Sequence, residues 1–128
     1  MSDVFERAPT KDVALKDVKG SRVELVFHPG IINANIFVWY KDNGGAWNVI
    51  HSTQNDSGRA FIGKTANLNG DGVELVFEIK KSLASGEEKY DLAGHLEADG
   101  QPVESSRLEL KGKSDHAFYG RALRWSFT

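Results

Sequence analysis

"VELVF" occurs twice in the chain, at Val23–Phe27 and at Val73–Phe77. In an extended chain, successive side chains point to opposite faces. Val23, Leu25 and Phe27 therefore share one face, and Glu24 and Val26 the other. Val73, Leu75 and Phe77 repeat the arrangement, with Ile79 extending the apolar side. Two such stretches predict two central strands, each with a strongly apolar inner face. A duplication would carry its neighbours along. "HPGIINANIFVWY" follows the first copy and "EIKKSLASGEEKY" the second, and they share almost nothing. The pair reads as two strands meeting one packing problem.

Outward from these stretches, apolar and polar residues keep alternating, and turn signals recur about every ten residues, the pattern of an all-β sandwich or barrel. The expected fold is an antiparallel β-sandwich of about eight to nine strands, with a closed antiparallel barrel as the alternative. Strands are expected at Asp12–Val18, Arg22–His28, Ala34–Lys41, Trp47–Thr53, Arg59–Ala66, Val73–Lys80, Lys89–Ala98, Val103–Lys111 and Ala117–Phe127. "DNGG" at Asp42–Gly45 is the strongest hairpin signal, because Asn-Gly accepts the positive φ of a tight turn. "NDSG", "NGDG" and "ADGQP" serve the same role. The one helical candidate, Lys80–Glu88, is broken by Gly86. Residues 1–11, with Pro9, read as an N-terminal arm ahead of a single domain at 12–128.

Composition narrows the function classes. The chain has 128 residues, 40% hydrophobic and 27% charged, enough for one domain with a real core. A net charge of -2 argues against nucleic acid as a partner. There is no cysteine, which excludes disulfides, thiolate metal sites and thiol catalysis. No window approaches the ~20 apolar residues that span a bilayer, and the N-terminus lacks the apolar run of a secretory signal. A cytoplasmic location is the default expectation, with leaderless export left open.

The chemistry-bearing motifs are few. "NLNGDGVELVFE" places Asn67, Asn69, Asp71 and Glu78 on the ligand positions of a calcium loop, with Asn67 where the first Asp belongs. Its flanks read as strands, which would carry Glu78 far from the turn, so a hairpin turn is expected. Asn67, Asn69 and Asp71 remain only a weak cation candidate. His28, His51, His95 and His116 are scattered, with no HExxH or H-x-H pair. His28 and His51 would lie close if the strands around them formed a meander. There is no nucleophile elbow and no phosphate loop, so no cofactor or metal is expected and the balance falls against an enzyme.

The aromatic residues carry most of the information. "NANIFVWYKDN" is apolar on both faces, and the chain returns through "GGAWNVIH", bringing Trp47 and Asn48 toward Tyr40 and Asp42. Aromatic faces flanked by amides suit sugar rings, whose apolar C–H patches stack while their hydroxyls bond the amides. Tyr40, Asp42, Asn43, Trp47 and Asn48 are therefore the candidate ligand-binding residues. The stretch "IFVWYKDNGGAWNVIH" resembles the strand–turn–strand of sugar-binding sandwich modules. Tyr119, Arg121, Arg124 and Trp125 form a second candidate, an aromatic and basic patch on the terminal strand. The leading expectation is a non-catalytic, lectin-like binding protein for a glycan or lipid headgroup. The alternatives are a structural homo-oligomer built through apolar strand faces, or a barrel with a cavity lined by Phe37, Trp39, Phe61 and His51.

Overall fold

The computed structural model describes residues 4–30, 32–82 and 86–128. The chain folds as an all-β sandwich of two packed sheets. In chain order the strands are β1 (Phe5–Arg7), β2 (Lys11–Val13), β3 (Arg22–His28), β4 (Asn33–Lys41), β5 (Trp47–Gln54) and β6 (Gly58–Lys64). They continue with β7 (Gly72–Lys80), β8 (Glu88–Ala98), β9 (Gln101–Pro102), β10 (Leu108–Ser114) and β11 (Phe118–Phe127). The front sheet runs β1-β11-β7-β4-β5, with β2 also on β11. The back sheet runs β10-β8-β3-β6, with β9 on β8. Among the described residues the strands form two separate sheets, so the barrel alternative is set aside.

Each copy of VELVF is a central strand, β3 in the back sheet and β7 in the front sheet. Val23, Leu25 and Phe27 face Val73, Leu75 and Phe77 across one core, each at most 1% exposed. Trp125 lies fully buried among them, its ring seated so close over Gly94 that a Cβ there would stand 2.7 Å from the indole. Only glycine leaves room at that point.

Residues 5–7 and 11–13 join the front sheet as β1 and β2, both parallel to β11. Pro9 lacks a donor N–H and falls between the two pairings, while the Ala8 N–H continues the ladder to the Ala122 carbonyl at 3.0 Å.

Two expected strands differ. Val13 ends β2, and Leu15–Asp17 forms a 3-10 turn instead of continuing to Val18. The strand expected from Val103 begins only at Leu108, after a 3-10 turn at Glu104–Ser106. Buried Ser106 explains the second case. Its hydroxyl accepts from the Leu96 N–H at 2.8 Å and donates to the Val103 carbonyl at 2.5 Å. Its own carbonyl accepts the Trp125 indole N–H at 2.6 Å. These local bonds replace a ladder that hydrophobic pattern alone would predict. Residues 83–85 of the helical candidate lie outside the described residues, its ends Lys80 and Glu88 belong to β7 and β8, and its other described residues are not helical. No helix of the described residues is long and apolar enough to cross a membrane.

Candidate functional site

The DNGG hairpin joins β4 to β5 at one end of the front sheet. The Gly45 N–H donates to the Asp42 carbonyl at 2.8 Å, and Gly44 takes the positive φ of 76° that the turn needs. The hairpin is held from outside by the second Asn-Gly turn, which precedes β7. Buried Asp71 accepts the Asn43 N–H at 2.8 Å and a short hydrogen bond from the Tyr40 hydroxyl. Gly70, at φ 84°, lies so close to Asn43 that a Cβ would meet its side-chain amide at 2.6 Å. "NLNGDG" is thus a turn that docks on another turn. Burial, reinforced by the bond to Asp71, pushes the Tyr40 hydroxyl well above the usual tyrosine range, so it stays a donor.

Beside this joint lies a cleft of about 280 Å³. Trp47 and Asn43 line it, with Lys41, Arg124, Thr10 and Ser126. The Arg124 guanidinium sits over Trp47, 4.7 Å from the ring centroid, and its Nε donates to Glu74 at 2.9 Å. The cleft therefore offers a half-buried indole, an amide, two hydroxyls and two cations. With Asp71 also on its wall and Arg124 paired to Glu74, the cleft suits a hydroxyl-rich group carrying little net charge.

The structure sorts the five candidate residues. Asn43 and Trp47 line the cleft. Tyr40 stands on the inner side, committed to Asp71. Asn48 pairs with Tyr40 across the strands and faces away from Trp47, its amide donating to the Ala46 carbonyl at 3.1 Å. Asp42 is exposed and closes the turn through its carbonyl. Strand alternation separates Trp47 from Asn48. Thr10 and Ser126 join the cleft from the β1–β2 connection and β11, which sequence proximity to the hairpin does not reveal, whereas Lys41, paired with Trp47, is a hairpin residue absent from the five candidates.

The terminal-strand candidate does not form one surface patch. Tyr119, Arg121 and Trp125 are buried, and only Arg124 is partly open. Arg121 lies between the Tyr90 and Tyr119 rings, 4.9 and 5.1 Å from their centroids, and its Nε donates to the Tyr90 hydroxyl at 3.0 Å. The Tyr119 hydroxyl donates to Glu88 at 2.6 Å. Burial and that bond push its pKa well up. These residues tie the two sheets together at one end, while Arg124 belongs to the hairpin cleft.

Neither a metal site nor a closed cavity assembles from the other candidates. Asn67 and Asn69 are exposed, and β7 carries Glu78 about 23 Å from Asp71. Among the described residues no group of three metal-type ligands converges. Phe37 and Trp39 stand on the outer face of the front sheet, Phe61 lies beneath Arg22 on the back sheet, and His51 turns toward Phe27. They lie on separate sides of the sandwich and line no common cavity. His28 meets His95 rather than His51, with ring centroids 6.2 Å apart, because both stand on the outer face of the back sheet while His51 faces the core.

Comparison with protein-family models, curated proteins and solved structures finds no match to this chain.

Proposed function

We propose that the protein is a non-catalytic binding module that recognises a hydroxyl-rich polar group at the hairpin cleft, presented either as a glycan or as a lipid headgroup. One observation carries this reading. A half-buried tryptophan, an amide and two cations converge on a cleft braced by a second, interlocked turn. The Asp71 bonds fix the cleft before any ligand arrives, which lowers the ordering cost of binding.

A glycan array and sedimentation with liposomes test the two presentations. Binding to either is expected, and it should fall at least tenfold in Trp47→Ala. Trp47 is only half-buried, so stability should drop by about 1–2 kcal/mol, below the 3–5 kcal/mol of a fully buried aromatic. Blank results in both assays, or a Trp47→Ala variant that binds like the parent, would overturn the assignment.

A second reading, assembly with copies of itself, draws on β5. This edge strand has no charged residue between Trp47 and Gln54 and exposes Val49 and Ile50. Light scattering across a concentration series tests it, and a monomer throughout would remove it.

A further inference from the structure

We infer that the front sheet carries a second subsite, and that both clefts together hold one linear oligosaccharide lying along β4, β7 and β11. This rests on the binding reading of the hairpin cleft and extends it to the length and shape of the ligand.

At the far end of the front sheet a cleft of about 510 Å³ opens beside Phe5 and Phe118. Both rings are exposed, at 46% and 66%. Asn33, Asn35 and Glu78 line the same cleft, and the Gln54 amide donates to Asn35 Oδ1 at 2.8 Å, orienting that amide. Exposed aromatics beside amides repeat the aromatic and amide part of the hairpin cleft, with Glu78 and Lys80 in place of its two cations.

Strand register joins the two. Asn35, Glu78 and Gly120 lie directly opposite one another across β4, β7 and β11, and all three line the far cleft. Lys41, Gly72 and Ser126 form the corresponding row at the hairpin cleft. On every strand the two rows are six residues apart, an even spacing, so they open on one face about 20 Å apart. Two rows lie between. One is Phe37, Val76 and Ala122, and the other is Trp39, Glu74 and Arg124. The middle of the face is thus an apolar and aromatic floor with one ion-paired row, over which Arg7 from β1 reaches across β11 to Glu74.

A ligand that repeats along its length matches this arrangement. Each ring of a linear oligosaccharide presents an apolar C–H face for stacking and hydroxyl edges for amides and carboxylates. A lipid headgroup would fill one cleft and leave the other unused.

The test uses the full chain, labelled with nitrogen-15, and four ladders: cello-, chito-, malto- and galacturono-oligosaccharides, each as dimer and hexamer. Calorimetry gives the affinities, and amide shifts give the location. For at least one ladder, the hexamer should bind about tenfold or more tighter than its dimer and shift amides in both clefts. Phe118→Ala, at an exposed position, should erase that hexamer advantage and the far-cleft shifts, while the dimer still shifts the hairpin-cleft amides. A hexamer that shifts only the hairpin cleft, or gains nothing over its dimer, overturns the spanning site while the hairpin reading stands. Shifts confined to the far cleft, or none in either cleft with any ladder, overturn the spanning site as well. In those two cases the array and liposome results decide the hairpin reading separately.

Discussion

The two VELVF strands are identical in sequence and differ in almost everything that faces outward. On β3, Glu24 pairs with Arg59 at 3.7 Å, and that arginine is half-exposed and shared with Glu97. On β7, Glu74 is 7% exposed and is held by Arg7 from β1 and Arg124 from β11. A pinning aspartate sits at the entry to each strand, reaching β3 from the β8–β9 turn and standing just ahead of β7. Asp99 accepts the Ser21 and Arg22 N–H groups at 2.9 and 3.0 Å, and Asp71 holds Tyr40 and Asn43. The apolar half of a strand obeys its own sequence, because any core accepts it. The polar half is decided by which strands the topology brings alongside.

The comparison can be broken at its strongest point. Leu25→Ala and Leu75→Ala should each cost about 2–5 kcal/mol in urea denaturation, since both side chains are fully buried in the same core. A difference between them larger than that range would show that the copies are not equivalent inside. Outward, the symmetry should fail. Glu74→Gln should cost about 1–3 kcal/mol, because two guanidiniums lose a buried partner. Glu24→Gln should cost less than about 1 kcal/mol, as surface ion pairs do. Equal losses would refute the distinction.

The smallest effect is a pH effect. Hydrogen bonds from the Ser21 and Arg22 backbone hold the Asp99 carboxyl below its usual range. A folded-state pKa below the unfolded one means that the unfolded chain binds more protons. The contribution is therefore complete above the ordinary aspartate range, near pH 4, and is lost as pH falls through the depressed folded value. Asp99→Asn should flatten the acid side of the stability profile slightly and leave the neutral side parallel to the parent. Profiles that stay parallel through the acid range would assign the pin elsewhere.

Much of the fold was legible in alternation and turn chemistry. The central strands follow from Val-x-Leu-x-Phe, and the sharpest turn from Asn-Gly. What alternation misses is hydrogen bonding that competes with it. Ser106 breaks a strand that apolar spacing predicts, and residues 5–13 pair with β11 despite carrying no strong strand pattern of their own. The candidate site was half legible. Trp47 and Asn43 follow from the hairpin. Lys41, next to Asp42 and paired with Trp47, was as legible as they are, whereas Arg124 converges on them only through register and looked like part of a terminal patch whose other members are buried. The close contact of Gly70 on Asn43 joins residues far apart in sequence, and no local pattern could announce it.

The place of β11 also governs how the molecule comes together in time. It lies between β7 and the β1–β2 segment, with Phe5 set against Gly120 and Phe127 against Val13. Residues near the start of the chain can find their sheet partners only after residues 118–127 exist. Contacts so distant in sequence slow folding, because the loop must close before any of them is rewarded. A ribosome emitting this chain therefore holds β7 with an open flank until the final strand arrives. Truncation before residue 118 would leave Leu75 and Phe77 beside a vacant lane in the sheet, a form prone to aggregation rather than partial function.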